Sequence, residues 1–148
     1  MQSPRIVFCV IFTLAFAVAC KDGGDAVSSA TPLGNSPSSY SYKAYNSKGS
    51  LVVAGTITLA VTDGGTMSGR WTLECVAPGE KVGPQTGTGT LSGTIQGTTV
   101  TINLNPGWID NNVFLSGSLD KDRLSGTWMW STFVGSTSQG GFEAIKFQ

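Results

Sequence analysis

The chain has no histidine and little charge. Among its 148 residues, 9 are Lys or Arg and 9 are Asp or Glu, for a formal net charge of zero. Without histidine, the usual general base and the commonest metal ligand are both missing. Sparse, balanced charge offers no basic face to a nucleic acid or another polyanion. No glycine-rich phosphate loop leads into a helix. Asp120-Lys121-Asp122 is too short for a calcium loop and lacks the Glu and Gly of an EF-hand. The acids Asp63, Asp120 and Asp122 sit in turn-like stretches, and only Glu80 and Asp110 fall where longer loops are expected, with nothing to fix the gap a carboxylate pair needs. These absences predict a protein that is not an enzyme and carries no metal or cofactor.

Cysteine is scarce too, with 3 in the chain. The one long apolar run, Ile6 to Phe16, follows Arg5 and is too short for a membrane-spanning helix, which needs about 20 residues. It reads as the core of a signal peptide over residues 1–19. The run ends in Ala17-Val18-Ala19-Cys20, which resembles the lipobox of bacterial lipoproteins. That resemblance implies cleavage before Cys20 and acylation of Cys20, as by palmitate, so that the protein is anchored to a membrane of the cell envelope. Lys21 stands where an Asp would imply inner-membrane retention, so the resemblance implies the outer membrane. Cys9 would leave with the signal and Cys20 would carry lipid. Cys75 then remains as a lone thiol with no histidine to activate it, and is expected to be a buried small hydrophobe.

Residues 20–39 form the lipidated cysteine and a tether rich in Gly, Ser, Ala and Pro, without periodicity. As a random coil the tether would span roughly 25 Å. The remaining domain, 40–148, repeats a short cassette of apolar residue, small residue and glycine. Its fullest copy is Leu124-Ser125-Gly126-Thr127-Trp128-Met129-Trp130, and looser copies begin at Val53, Met67, Leu91 and Leu115. The apolar residue and the glycine are two apart, so on a strand they share a face.

About eight period-two segments follow from Tyr40, with no helical pattern. Leu51, Val53, Gly55, Ile57, Leu59 and Val61 share one face. So do Met67, Gly69, Trp71, Leu73 and Cys75, with Ser68, Arg70, Thr72 and Glu74 opposite. Gly87 to Ile95, Val100 to Leu104, Val113 to Leu119 and Leu124 to Trp130 repeat the scheme, while the phase of Gly141 to Phe147 is ambiguous. One apolar face and one Thr/Ser face predict a half-buried antiparallel sheet. The glycines on the apolar face would let strands bend sharply or make room for Trp71 and Trp128. Eight strands joined by short links close most simply as an up-and-down barrel, with a β-sandwich as the alternative.

Gly69-Arg70-Trp71 and Gly126-Thr127-Trp128 are similar to the Gly-x-Trp pattern of the calycin barrels, the lipocalins and avidins. The resemblance implies a calycin-like shape. The polar residues of an avidin biotin site have no matching positions, so no binding residues transfer.

Alternate links of such a barrel lie at one end. The short turns 62–65, 96–97 and 120–122 share one end, and the longer links 78–85, 105–112 and 131–140 share the other, which should therefore carry any function. With the tether entering at the closed end, the long loops are expected to point away from the anchor. At the loop end the expected lining is apolar and uncharged. Trp108, Trp130 and Phe133 would contact a small hydrophobic ligand, with Leu73 and Leu104 beneath, or the same aromatics would fold in as a plug. Two functions follow: a membrane-anchored lipoprotein binding a small apolar or amphipathic molecule, or a structural or interaction lipoprotein of the envelope with a filled barrel. An internal cavity would distinguish them.

Overall fold

A computed structural model describes residues 36–148. The signal peptide, Cys20 and nearly all of the tether lie outside the described residues. The eight strands are β1 (Ser38–Tyr45), β2 (Leu51–Val61), β3 (Thr66–Cys75), β4 (Gly87–Gln96), β5 (Thr99–Asn103), β6 (Asn112–Asp120), β7 (Arg123–Thr132) and β8 (Gly135–Lys146). They form a closed barrel in sequence order, each antiparallel to the next, and β8 pairs back onto β1 from Tyr40↔Lys146 to Ala44↔Phe142. Closure satisfies the sheet edges that a sandwich would leave open.

Inward side chains follow the period of two. Tyr40, Tyr42 and Ala44 of β1 meet Ile57 and Leu59 of β2, Met67, Trp71 and Leu73 of β3, and Leu124 and Trp128 of β7, all buried. Phe142 and Ala144 settle the phase of β8. The bulkiest fully buried side chains are Trp128, Tyr40 and Tyr42, so aromatic rings occupy the interior of this small barrel.

The cassette glycines are where neighbouring strands come too close for a Cβ. One built at Gly69 would lie 1.9 Å from the Thr58 carbonyl oxygen, and one at Gly93 would lie 2.2 Å from that of Thr101. Sharp coiling of the strands is therefore their main role. Gly89 makes room instead, since its Cβ would fall 2.4 Å from the Trp71 ring. Gly97, at φ 60°, supplies the left-handed residue of the β4–β5 turn.

Four expectations are corrected. The segment 131–140 is no loop: β7 continues to Thr132, β8 begins at Gly135, and only Phe133-Val134 turns. Beyond the Phe133-Val134 turn the extension is polar and largely exposed from Gly135 to Gln139, so no apolar alternation marks it. Strand β1 begins at Ser38, before the expected Tyr40, and Ser39 is bonded to Thr58 across the β1–β2 pair (3.2 Å). Leu51 is exposed while Val52 and Val53 are both buried, because a register shift at Ala44/Tyr45 interrupts the alternation. Cys75 is exposed at the end of β3, where its thiol donates to the Ala77 carbonyl (3.3 Å) as the chain turns away.

Candidate functional site

The mouth lies where β3, β5 and β7 end. The connection between β3 and β4, residues 76–86, folds into it. Val82 and Gln85 are buried, and Gln85 is fully enclosed. Neither follows from periodicity, since both sit among Gly and Pro. Burying a neutral amide requires partners, and Gln85 has them. Its Nε2 donates to the Val82 carbonyl (2.8 Å), and its Oε1 accepts from the Tyr42 hydroxyl (3.3 Å). Desolvation by burial pushes the Tyr42 phenol well above the ordinary tyrosine range, so it stays a neutral donor.

Asn105 fastens the other side. Its Nδ2 donates to the Pro84 carbonyl (3.1 Å) and its Oδ1 accepts from the Val113 amide (3.2 Å). The Asn103 side chain in turn accepts from the Asn105 amide (2.8 Å). Beneath lie Leu73 and Leu104, both buried, and the Trp71 indole, whose Nε1 donates to the Leu104 carbonyl (2.7 Å). The mouth is thus an apolar floor, a neutral polar layer of Tyr42, Gln85 and Asn105, and a cover made of residues 76–86.

Of the residues expected to line the mouth, Leu73 and Leu104 form the floor. Trp130 stands at the rim against the cover: a Cβ on Gly83 would fall 2.5 Å from the indole Cγ, and Trp130 Nε1 donates to Asn111 Oδ1. Trp108 and Phe133 are not packed as a plug. They are 53% and 80% exposed, on the β5–β6 connection and the β7–β8 turn. Sequence reasoning missed Tyr42, Val82, Gln85 and Asn105. The Tyr40-x-Tyr42-x-Ala44 alternation could have placed Tyr42 inward, whereas nothing local marks Gln85 or Asn105.

A second concavity lies on the outer wall, between the β1–β2 turn and the faces of β6 to β8. Tyr45, Phe114, Met129 and Gln139 line it. Tyr45 donates to Glu143 (2.9 Å), which also pairs with Arg123 (2.9 Å). The hydrogen bond to Glu143, followed by burial and the Glu143 charge, raises the Tyr45 pKa. Among the described residues no group of His, Cys, Asp and Glu could hold a metal ion.

The chain matches no protein-family model and no curated protein. Its fold is similar to that of rhizavidin in the crystal structure of a rhizavidin–biotin complex, with a TM-score of 0.51 and 19% identity over 76% of this chain and 92% of that one. What the two share is the fold, a small closed barrel of eight antiparallel strands in sequence order.

Proposed function

We propose that this protein is a non-catalytic binding module carried on the cell envelope, anchored through acylated Cys20 and residing at the outer membrane. The mouth would take a small neutral amphipathic molecule beneath the 76–86 cover. The Tyr42–Gln85 contact carries this reading. Tyr42 is wholly buried, and the partner of its hydroxyl is a side chain of the cover, not of the barrel wall. Lifting the cover would turn the Tyr42 hydroxyl and the Asn105 amide toward an open space above Leu73, Leu104 and Trp71. A ligand amide or hydroxyl could then replace Gln85, while an ionised group would lack a buried partner. The fold likeness to rhizavidin supports a small-ligand class without naming the ligand.

A second reading, an interaction lipoprotein acting through its surface, is favoured by the aromatic filling of the interior by Tyr40, Trp71 and Trp128. The two are separated by titrating the chain from residue 20, carrying Cys20→Ser, with fluorescent fatty acids and neutral amphipathic probes. Saturable binding that weakens in Tyr42→Phe and Trp130→Ala supports the mouth. No saturable binding in either parent or Gln85→Ala leaves the filled barrel. The anchor is tested separately: Cys20→Ser should release the protein to the soluble fraction, and an unmodified Cys20 in the wild-type intact mass would refute acylation.

A further inference from the structure

We propose that the loop end of the barrel is a bilayer-contact surface, with the tips of the β5–β6 connection and the β7–β8 hairpin inserting into the lipid interface. The proposal stands apart from what the mouth binds. Ile109 is 92% exposed, Val134 97% and Phe133 80%, with Trp108 half-exposed beside them. Large apolar side chains clustered this far into water at one end of so small a barrel call for a partner phase.

The tips are neighbours. Asn112 pairs with Ser131 across β6 and β7, so Ile109 precedes and Phe133 follows the same rung of the ladder. Trp130 Nε1 donates to Asn111 Oδ1 across the same gap. Each tip is held in shape. Asn112 Nδ2 donates to the Trp108 carbonyl (3.2 Å), the Trp108 amide donates to the Asn105 carbonyl (3.0 Å), and Thr132 Oγ1 donates to the Gly135 carbonyl (3.3 Å). Little ordering entropy would be lost on insertion.

The chemistry fits a bilayer better than a protein face. The apolar groups sit on narrow protrusions, not on a flat patch with a packed centre. Polar necks follow immediately: Asp110, Asn111 and Asn112 on one side, and Ser131, Thr132, Ser136 and Thr137 on the other. They would lie at headgroup depth, where a Trp such as Trp108 is also favoured. The end carries Lys48 and Lys81 against Glu80 and Asp110, so attraction to charged lipid is not the driving force.

The tether does not prevent this orientation. Residues 20–38 could reach about 60 Å when extended, whereas a barrel of ten-residue strands is about 25 Å tall. A lipid at Cys20 would raise the local concentration of bilayer and make a weak insertion effective.

The test uses the chain from residue 20 with Cys20→Ser, so that no acyl group contributes, and vesicles of zwitterionic phosphatidylcholine. Cosedimentation should be weak but measurable and should persist in high salt. Brominated lipid should quench Trp108, with Trp108→Phe identifying the signal. Ile109→Asp with Val134→Asp should lower partitioning about tenfold or more, while Thr127→Asp on the outer wall should leave it unchanged. Because these side chains are exposed, thermal melts should match the parent, and Ile109→Ser with Val134→Ser provides a milder pair if they do not. Absence of vesicle binding, or binding abolished by salt, overturns the proposal. So does self-association abolished by the same substitutions, which would assign the tips to a protein contact.

Discussion

Gly117 and Gly126 stand opposite each other across the β6–β7 pair, and neither has room for a side chain. A Cβ on Gly126 would lie 2.5 Å from the Gly117 Cα and 2.1 Å from the Ser116 carbonyl oxygen, and one on Gly117 would lie 2.9 Å from the Gly126 Cα. The obstacle is backbone, which cannot rotate away as a flexible side chain would.

Gly126→Val should therefore destabilise the barrel by about 1–3 kcal/mol or more. Thr127→Val, one residue along on the exposed face, should stay within about 0.5 kcal/mol. Thermal melts of the two variants check this, and equal losses would contradict the assigned inward phase of β7.

Trp128 ties the end of β1 to the wall. Its Nε1 donates to the Tyr45 carbonyl (2.8 Å) past Gly140, whose missing Cβ would otherwise meet that oxygen. Trp128→Phe removes the bond and leaves a void, at a combined cost of about 2–4 kcal/mol. Half-exposed Trp108→Phe should cost about 0.5 kcal/mol or less. Urea midpoints at unchanged slope would verify the contrast.

All 3 tyrosines of the chain lie in β1, and all have raised pKa values. For Tyr40 the causes are burial and then the Asp122 charge, for Tyr42 burial, and for Tyr45 chiefly its bond to Glu143. The unfolded chain releases these protons near pH 10 and the folded chain holds them, so unfolding stability falls as pH rises above about 10. Below that value the tyrosines add no pH dependence. An alkaline absorbance titration should show phenol ionisation delayed beyond pH 10, with enclosed Tyr42 ionising only as the barrel unfolds. Tyr42→Phe should flatten the alkaline loss of stability. Ordinary titration of Tyr42 at pH 10 in folded protein would refute its enclosure.

Most of the fold was legible because a barrel wall writes itself in alternation. Met67, Trp71 and Leu73 against Ser68, Thr72 and Glu74 could only be one wet and one dry face, and β2 was bounded correctly at Leu51 and Val61. Where both faces are wet, as from Ser136 to Gln139, alternation carries no apolar signal and the hairpin read as a loop. The mouth was half legible. Leu73 and Leu104 lie on strand phase, whereas Gln85 is buried by a connection whose path depends on Asn105, 20 residues away, and on Tyr42, 43 residues away. Cys75 misled because its parity is inward while its strand has already left the core.

The pairing of β8 with β1 makes the wall a ring, and the chain ends are merely a nick in it. The Phe147 amide donates to the Ser39 carbonyl (2.9 Å), so the cut edges already touch. A short splice between them would leave every ladder intact, and the ring could be reopened at another hairpin turn, because no pairing depends on which residue comes first. Position 38 is thus one of several places where a leash could leave this domain. Nicks at the turns near Gly65, Gly97 and Lys121 would put a leash at the same end as Ser38, while a nick at Ser47 would put it beside the mouth. Where a barrel of this kind is leashed, and hence which end it offers to its surroundings, can change without altering the wall.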